Sequence, residues 1–302
     1  YFEVRRLLDW TRRFYDTTPP DLHICCDSWT MNVHFARLAR SRSAKVMYHI
    51  APQTWASREG RVRELARLTD AVSCILPFEQ AYFRSHGVNA TYVGHPLFDE
   101  IQIPSVERDP HRIALPCGSR ASVVRANLPR QLEVPRRLRD AMPTLRFVIP
   151  TTATTHDLVR DLVGQDASIE LVRESFEQAV APCALAITVS GTATLHVAAL
   201  GVPMLVVYHG NPPALAPARP VAHPHAHVRT GQRHRPRRRG RPVESVVGRA
   251  LSMLQSPEQL DAQRRALAEV VARVAMPGAS DRAAQLALSI VESKVSPSGC
   301  GQ

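Results

Sequence analysis

Short apolar runs alternate along this chain with longer stretches whose apolar residues recur at helical spacing. Leu22-His23-Ile24-Cys25-Cys26, Lys45 to Ile50, Ala71 to Leu76 and Ala90 to Val93 read as buried strands. Helical patterns separate them over Glu3 to Trp10, about Asn32 to Arg42, about Arg58 to Leu68 and Pro77 to Ser85. A second series places strands at Arg112 to Leu115, Leu145 to Ile149, Ala184 to Val189 and Pro203 to Tyr208. Its helices are one carrying Arg120, one opened by Gly191, and two more at Glu244 to Leu254 and Pro257 to Val274. Such alternation predicts parallel sheets covered by helices on both faces. The polar, Pro-containing stretch from Ile101 to His111 reads as a linker. The expected architecture is therefore α/β, with two Rossmann-like, doubly wound domains, 1–106 and 107–295, facing across a cleft.

Two turns in this pattern carry candidate chemistry. Leu115-Pro116-Cys117-Gly118-Ser119-Arg120 and Val189-Ser190-Gly191-Thr192-Ala193-Thr194-Leu195-His196 each follow an apolar run and open a helix. Each would aim free backbone N–H groups at one crevice, where a diphosphate can bind. A third stretch, Asp27 to Asn32, follows the first strand, and open α/β sheets place ligands at such carboxyl ends. The combination points to a nucleotide-using protein.

Composition narrows the reading. At 302 residues the chain exceeds one ordinary core and suits two domains. No apolar run reaches the roughly 18 to 20 residues that a membrane span requires. The chain enters at Tyr1 directly into a basic amphipathic pattern, with neither a Met start nor a signal-peptide layout, and reads as a fragment without its own N-terminus. Cysteines at 25, 26, 74, 117, 183 and 300 form no C-x-x-C pair and lie mostly within apolar runs, as expected of a reduced, cytoplasmic compartment.

The net charge of +11 is concentrated in one place. From Pro212 to Pro242 no residue is acidic, while Arg219, Arg229, Arg233, Arg235, Arg237, Arg238, Arg239 and Arg241 supply most of the excess. This 212–242 insert lacks apolar periodicity. It reads either as a basic disordered loop or as a local frame disturbance in a GC-rich coding sequence. It has no interleaved aromatics on which bases could stack, so no nucleic acid partner is expected. The non-enzymatic alternative, an inactive fragment with a basic RNA- or membrane-binding loop, would show steep salt dependence. His223, His225 and His227 stand without acidic or cysteine company, and no metal is expected.

With these pieces placed, the chain resembles the lipid-A-disaccharide synthase family of GT-B glycosyltransferases. The matching segments are Cys26-Asp27-Ser28 with Asn32, Tyr48-His49-Ile50-Ala51-Pro52-Gln53-Thr54-Trp55-Ala56 with Arg61-Val62, and Leu76-Pro77-Phe78-Glu79. They continue with Val93-Gly94-His95-Pro96, Gly118-Ser119-Arg120, Ser190-Gly191-Thr192-Ala193, and Tyr208 with Asn211-Pro212. The resemblance implies an inverting transfer of 2,3-diacylglucosamine from UDP to 2,3-diacylglucosamine 1-phosphate, giving lipid A disaccharide 1-phosphate and UDP, with no cofactor. It also implies peripheral attachment at the inner face of the inner membrane, where Arg5, Arg6, Arg12 and Arg13 would meet an anionic surface. Other GT-B enzymes, a MurG-like transferase or a UDP-N-acetylglucosamine epimerase, are the enzymatic alternatives.

Roles follow from matching positions. Asp27 would be the general base on the acceptor hydroxyl; its bland alternative is to cap the helix expected near Asn32. His95, in the turn Gly94-His95-Pro96, is the second candidate catalytic group, and Trp55 and Arg61 would shape the acceptor side. Gly118, Ser119, Arg120, Ser190, Gly191, Thr192, His196 and Asn211 would bind UDP, with Arg120 clamping the diphosphate from the first turn of its helix. Ser190 and Thr192 are equally apt as ordinary helix caps. Three departures from the family pattern matter. Leu-Leu-Pro-Gly-Ser-Arg appears here as Leu115-Pro116-Cys117-Gly118-Ser119-Arg120, and His196 stands where many relatives carry a glutamate suited to ribose hydroxyls. The Asn-containing segment expected after Pro212 is replaced by the basic stretch.

Overall fold

The computed structural model describes residues 2–54, 60–207 and 242–295. It divides into two compact units, the first running to Glu100 and resuming at Val274, the second lying between.

In the first unit, β1 (Leu22–Cys26), β2 (Lys45–His49), β3 (Ala71–Cys74) and β4 (Ala90–Tyr92) form one parallel sheet in the order β1-β2-β3-β4. α1 (Phe2–Thr17) precedes β1, α2 (Trp29–Ser41), α3 (Gly60–Leu68) and α4 (Pro77–Arg84) run between the strands, and the short α5 (Leu97–Glu100) follows β4. The motif Leu76-Pro77-Phe78-Glu79 is a helix start. Pro77 occupies the first turn, where its missing N–H costs nothing, and the buried Glu79 carboxylate accepts from the amides of Ile75 and Leu76 at 3.2 and 3.1 Å.

The second unit holds β5 (Asp109–Ala114), β6 (Arg146–Thr151), β7 (Ile169–Arg173), β8 (Cys183–Val189) and β9 (Met204–Val207), all parallel, in the order β7-β6-β5-β8-β9. Its helices are α6 (Ala121–Gln131), α7 (Glu133–Ala141), α8 (His156–Val163), α9 (Phe176–Val180), α10 (Thr192–Ala199), α11 (Pro242–Leu254) and α12 (Pro257–Val274). Alternate strand residues feed opposite faces, as the two-residue period demands. Ile113, Phe147, Leu185 and Ile187 enter a core with Leu128 and Leu138, whereas Ala114, Val148 and Ala186 enter another with Val197 and Leu267. Gln263 closes the β9 edge: its amide group accepts from Met204 N at 2.9 Å and donates to Met204 O at 3.1 Å.

The expected boundary differs from the observed one. The chain pattern assigns 107–295 to one domain, but α13 (Ala279–Val295) lays Ile290, Leu286, Ala283 and Ala287 against Met47, Ala71 and Leu22 of the first sheet. Apolar burial therefore returns the last described helix to the first unit. β7 and the helices beside it were not expected either. Among the described residues no helix is long and apolar enough to cross a membrane.

Candidate functional site

In the second sheet the chain winds outward from β5 to β6 and β7, then returns to place β8 on the other side of β5. The loops after β5 and β8 therefore leave the sheet in opposite directions from adjacent strands, which opens a crevice between them. These are the two turns singled out in the sequence. They touch directly, Val189 N donating to Pro116 O at 3.1 Å.

Glycine is required in both turns, for different reasons. At Gly118, with φ 103°, a Cβ would lie 2.7 Å from Val123 Cγ1. At Gly191, φ is 156° and ψ −165°, a region essentially closed to other residues, and a Cβ there would meet nothing within 4 Å. Gly191 itself is the N-cap of α10, with no side-chain cap, so neither Ser190 nor Thr192 serves as one. Ser190, Gly191 and Thr192 are exposed. The first intrahelical bonds close at Val123, Val124 and Thr194, leaving the preceding N–H groups of α6 and α10 outside the helical ladder.

Arg120 stands one position earlier than expected. It is the N-cap of α6, in extended conformation, and its carbonyl accepts from Val123 N and Val124 N. Its exposed side chain makes no hydrogen bond or ion pair among the described residues. Ser119 beside it is exposed as well. His196 lies in the second turn of α10 and bonds Glu177 of α9, a residue the sequence reading did not single out.

In the first unit, Asp27 follows β1 at φ 49° and Ser28 at φ 28°. Two successive left-handed residues reverse the chain sharply, so α2 begins at Trp29 rather than near Asn32. Trp29 is buried against Tyr48, ring centroids 5.8 Å apart. The backbone of Asp27 is held on every side. Its N–H donates to His49 O at 3.1 Å, and its carbonyl accepts from the Tyr48 hydroxyl and from Asn32 Nδ2 at 3.0 Å. Asn32 also donates to Cys26 O at 2.7 Å. The N-cap of α2 is Ser28, so Asp27 does not cap it. Its exposed carboxylate makes no hydrogen bond or ion pair among the described residues. Burial drives the Tyr48 hydroxyl well above its ordinary pKa, which keeps it a donor.

His95 sits in a turn built for a different contact. Its Nδ1 accepts from Leu97 N at 3.1 Å, its ring meets Phe98 edge-on, and burial lowers its pKa. Beside it, Gly94 at φ 93° lets the chain at Met276 come so close that a Cβ would lie 2.8 Å from its carbonyl oxygen. Asp99 then receives the start of α13. Its carboxylate accepts from Gly278 N at 2.6 Å, Ala279 N at 3.0 Å, Ser280 N at 2.8 Å and Ser280 Oγ at 2.7 Å. These donors hold the Asp99 pKa down to about 2. Arg282 completes the grip by donating to Val93 O, Pro277 O and Met276 O at 2.8 to 2.9 Å.

Arg61 is the second residue of α3 and half-buried. Trp55, Asn211, and His223, His225 and His227 of the basic stretch lie outside the described residues. Among the described residues no group of three or more His, Cys, Asp and Glu is placed to hold a metal ion.

A family model described as lipid-A-disaccharide synthetase matches residues 2–221. A lipid-A-disaccharide synthase of Trichlorobacter lovleyi is 34% identical over 294 residues, covering 91% of this chain and 76% of its own. One of Geobacter metallireducens is 36% identical over 214 residues, covering 67% of this chain but only 56% of the relative. Among solved structures, UDP-GlcNAc 2-epimerase from Neisseria meningitidis bound to UDP-GlcNAc superposes with a TM-score of 0.63 at 13% identity, over 95% of this chain and 81% of that one. At that identity the likeness gives the fold, which is GT-B.

Proposed function

The chain belongs to the lipid-A-disaccharide synthase family, and from that premise we propose that it transfers 2,3-diacylglucosamine from UDP to the 6-hydroxyl of 2,3-diacylglucosamine 1-phosphate. The observation that carries the nucleotide half is the pair of touching helix starts, Gly118 to Arg120 and Ser190 to Thr192, at the point where the second sheet reverses its strand order. Uncapped N–H groups suit a diphosphate, and the unpaired Arg120 guanidinium offsets charge on departing UDP.

Asp27 removes the proton of the acceptor hydroxyl as that oxygen attacks the sugar C1 from the side opposite UDP. The C1–O bond to the diphosphate breaks, UDP leaves with the electron pair, and the anomeric configuration inverts. One base and no covalent nucleophile suffice. Asp27 suits the role because its backbone is fixed while its carboxylate stays uncommitted. His95, kept neutral by burial and with Nδ1 accepting from Leu97 N, carries its hydrogen on Nε2 and is the second candidate catalytic group, as a hydrogen-bond donor. The acyl chains of both substrates place the enzyme at the inner face of the inner membrane, and α1 presents a suitable surface. Leu7, Trp10 and Phe14 are exposed on it, with Trp10 and Phe14 stacked at 5.5 Å, and Arg6 and Arg13 lie alongside.

The test supplies both lipid substrates in detergent and follows UDP and disaccharide together. Equimolar UDP and a β-linked disaccharide are expected. A preparation that binds UDP yet forms no disaccharide from these two sugars would overturn the substrate assignment.

A further inference from the structure

The rim of the second unit carries a side-chain group that the roles above leave unused. Phe176 and Glu177 open α9 just beyond the carboxyl end of β7, and both meet His196. Glu177 Oε1 lies 2.9 Å from His196 Nε2, and the Phe176 ring stacks on the imidazole with centroids 4.3 Å apart and planes at 27°. An ionised carboxylate only accepts, so Nε2 carries the hydrogen and the imidazole is fixed in both tautomer and orientation. Neither polar side chain is sealed away: His196 is 19% exposed and Glu177 28%.

Their place relative to the crevice follows from helix geometry. Thr192 and His196 are four apart on α10 and share a face, so His196 lies about 6 Å along the axis from the residue that opens the helix. A nucleoside diphosphate held at that helix start extends from phosphate to ribose over a comparable distance. Glu177 uses Oε1 on His196, whereas Oε2 makes no hydrogen bond among the described residues. A ribose offers two adjacent O–H donors, and a carboxylate with open lone pairs is the side chain that accepts both.

We propose that Glu177, held in place by His196 and Phe176, accepts hydrogen bonds from the ribose 2′- and 3′-hydroxyls of the bound nucleotide. The proposal rests on the nucleotide reading of the Gly118 and Gly191 turns. His196 is a positioning residue, and the discriminating group is the Glu177 carboxylate.

Calorimetric titration of the whole chain with UDP and with 2′-deoxy-UDP tests it, with inorganic pyrophosphate as a competitor that reports the diphosphate cradle alone. The native chain should prefer UDP by roughly tenfold or more, the size of one hydrogen bond to a charged group. Glu177→Gln should lose about that factor for UDP, lose less for 2′-deoxy-UDP, and leave pyrophosphate competition unchanged. His196→Ala should lower the same ratio by a smaller factor. A native chain that binds both nucleotides equally, or a Glu177→Gln variant that discriminates as the native chain does, overturns the proposal while leaving the UDP site standing. A native chain that binds neither UDP nor pyrophosphate overturns the nucleotide reading and this inference with it.

Discussion

The two units turn the chain beyond their strands by different means. After β1 the first unit passes through Asp27 and Ser28 at φ 49° and 28°, whereas the second makes its turns on Gly118 and Gly191 at φ 103° and 156°. Glycine serves at 118 because a Cβ would crowd Val123, and at 191 because its φ and ψ are closed to other residues although the space beside it is open. A side chain in the left-handed region costs of order 1 to 3 kcal/mol, and it persists only where its surroundings over-determine it. Tyr48, Asn32 and His49 supply that constraint around Asp27. On the proposed function, the second unit's turns serve through what the backbone offers, and the first unit's turn through what one carboxylate offers.

The strongest way to break this contrast is Asp27→Asn, which keeps a residue tolerant of positive φ and removes only the carboxylate proposed as base. Transfer should fall by about 10²- to 10⁴-fold with thermal unfolding unchanged. A matching loss of stability would assign Asp27 to the fold instead. Gly118→Ala comes next. The strained φ and the 2.7 Å approach to Val123 should destabilise the second unit by about 2 kcal/mol or more in urea titrations, and weaken UDP binding.

Asp99→Ala removes the cap of α13 and should cost about 1 kcal/mol in the first unit. Because folding lowers the Asp99 pKa to about 2, its contribution is present above the unfolded carboxylate range and is lost as pH falls through about 2. Acid titration of native protein and variant should therefore converge between about pH 4 and pH 2. The smallest effect sharpens the contrast most directly. Ser28→Gly, relieving φ 28° where no side-chain cap is lost, should stabilise the protein by a fraction of about 1 kcal/mol. A destabilised variant would show that the Ser28 backbone is not under strain.

Much of this arrangement is legible in the chain. The apolar runs give eight of the nine strands in the right order, and the turns at Gly118 and Gly191 announce themselves because each follows such a run. The ninth, β7, escapes because it is short and only partly buried along Ile169-Glu170-Leu171-Val172-Arg173. α9 has five residues, too few to show a helical period. The pairing of Glu177 with His196 was hidden for that reason, and because partners 19 positions apart leave no local trace. Asp27 was visible as a loop residue, but its positive φ was not, since only Tyr48, 21 positions away, and its neighbours impose it. The meeting of Asp99 with Ser280 spans 181 positions, beyond any reading of spacing.

That long span bears on the order in which the protein is completed as it is made. Domains emerging from a ribosome tend to finish from the N-terminal end. Here the face of the first sheet around Met47 and Ala71 waits for Ile290 and Leu286, and Asp99 waits for its partners at 278–280. The described residues of the second unit end at Arg273, so all of them are made before α13 while that apolar face is still bare. The part of the chain synthesised first is the last to be sealed, and a nascent chain stalled before α13 presents an open apolar surface for chaperones to cover.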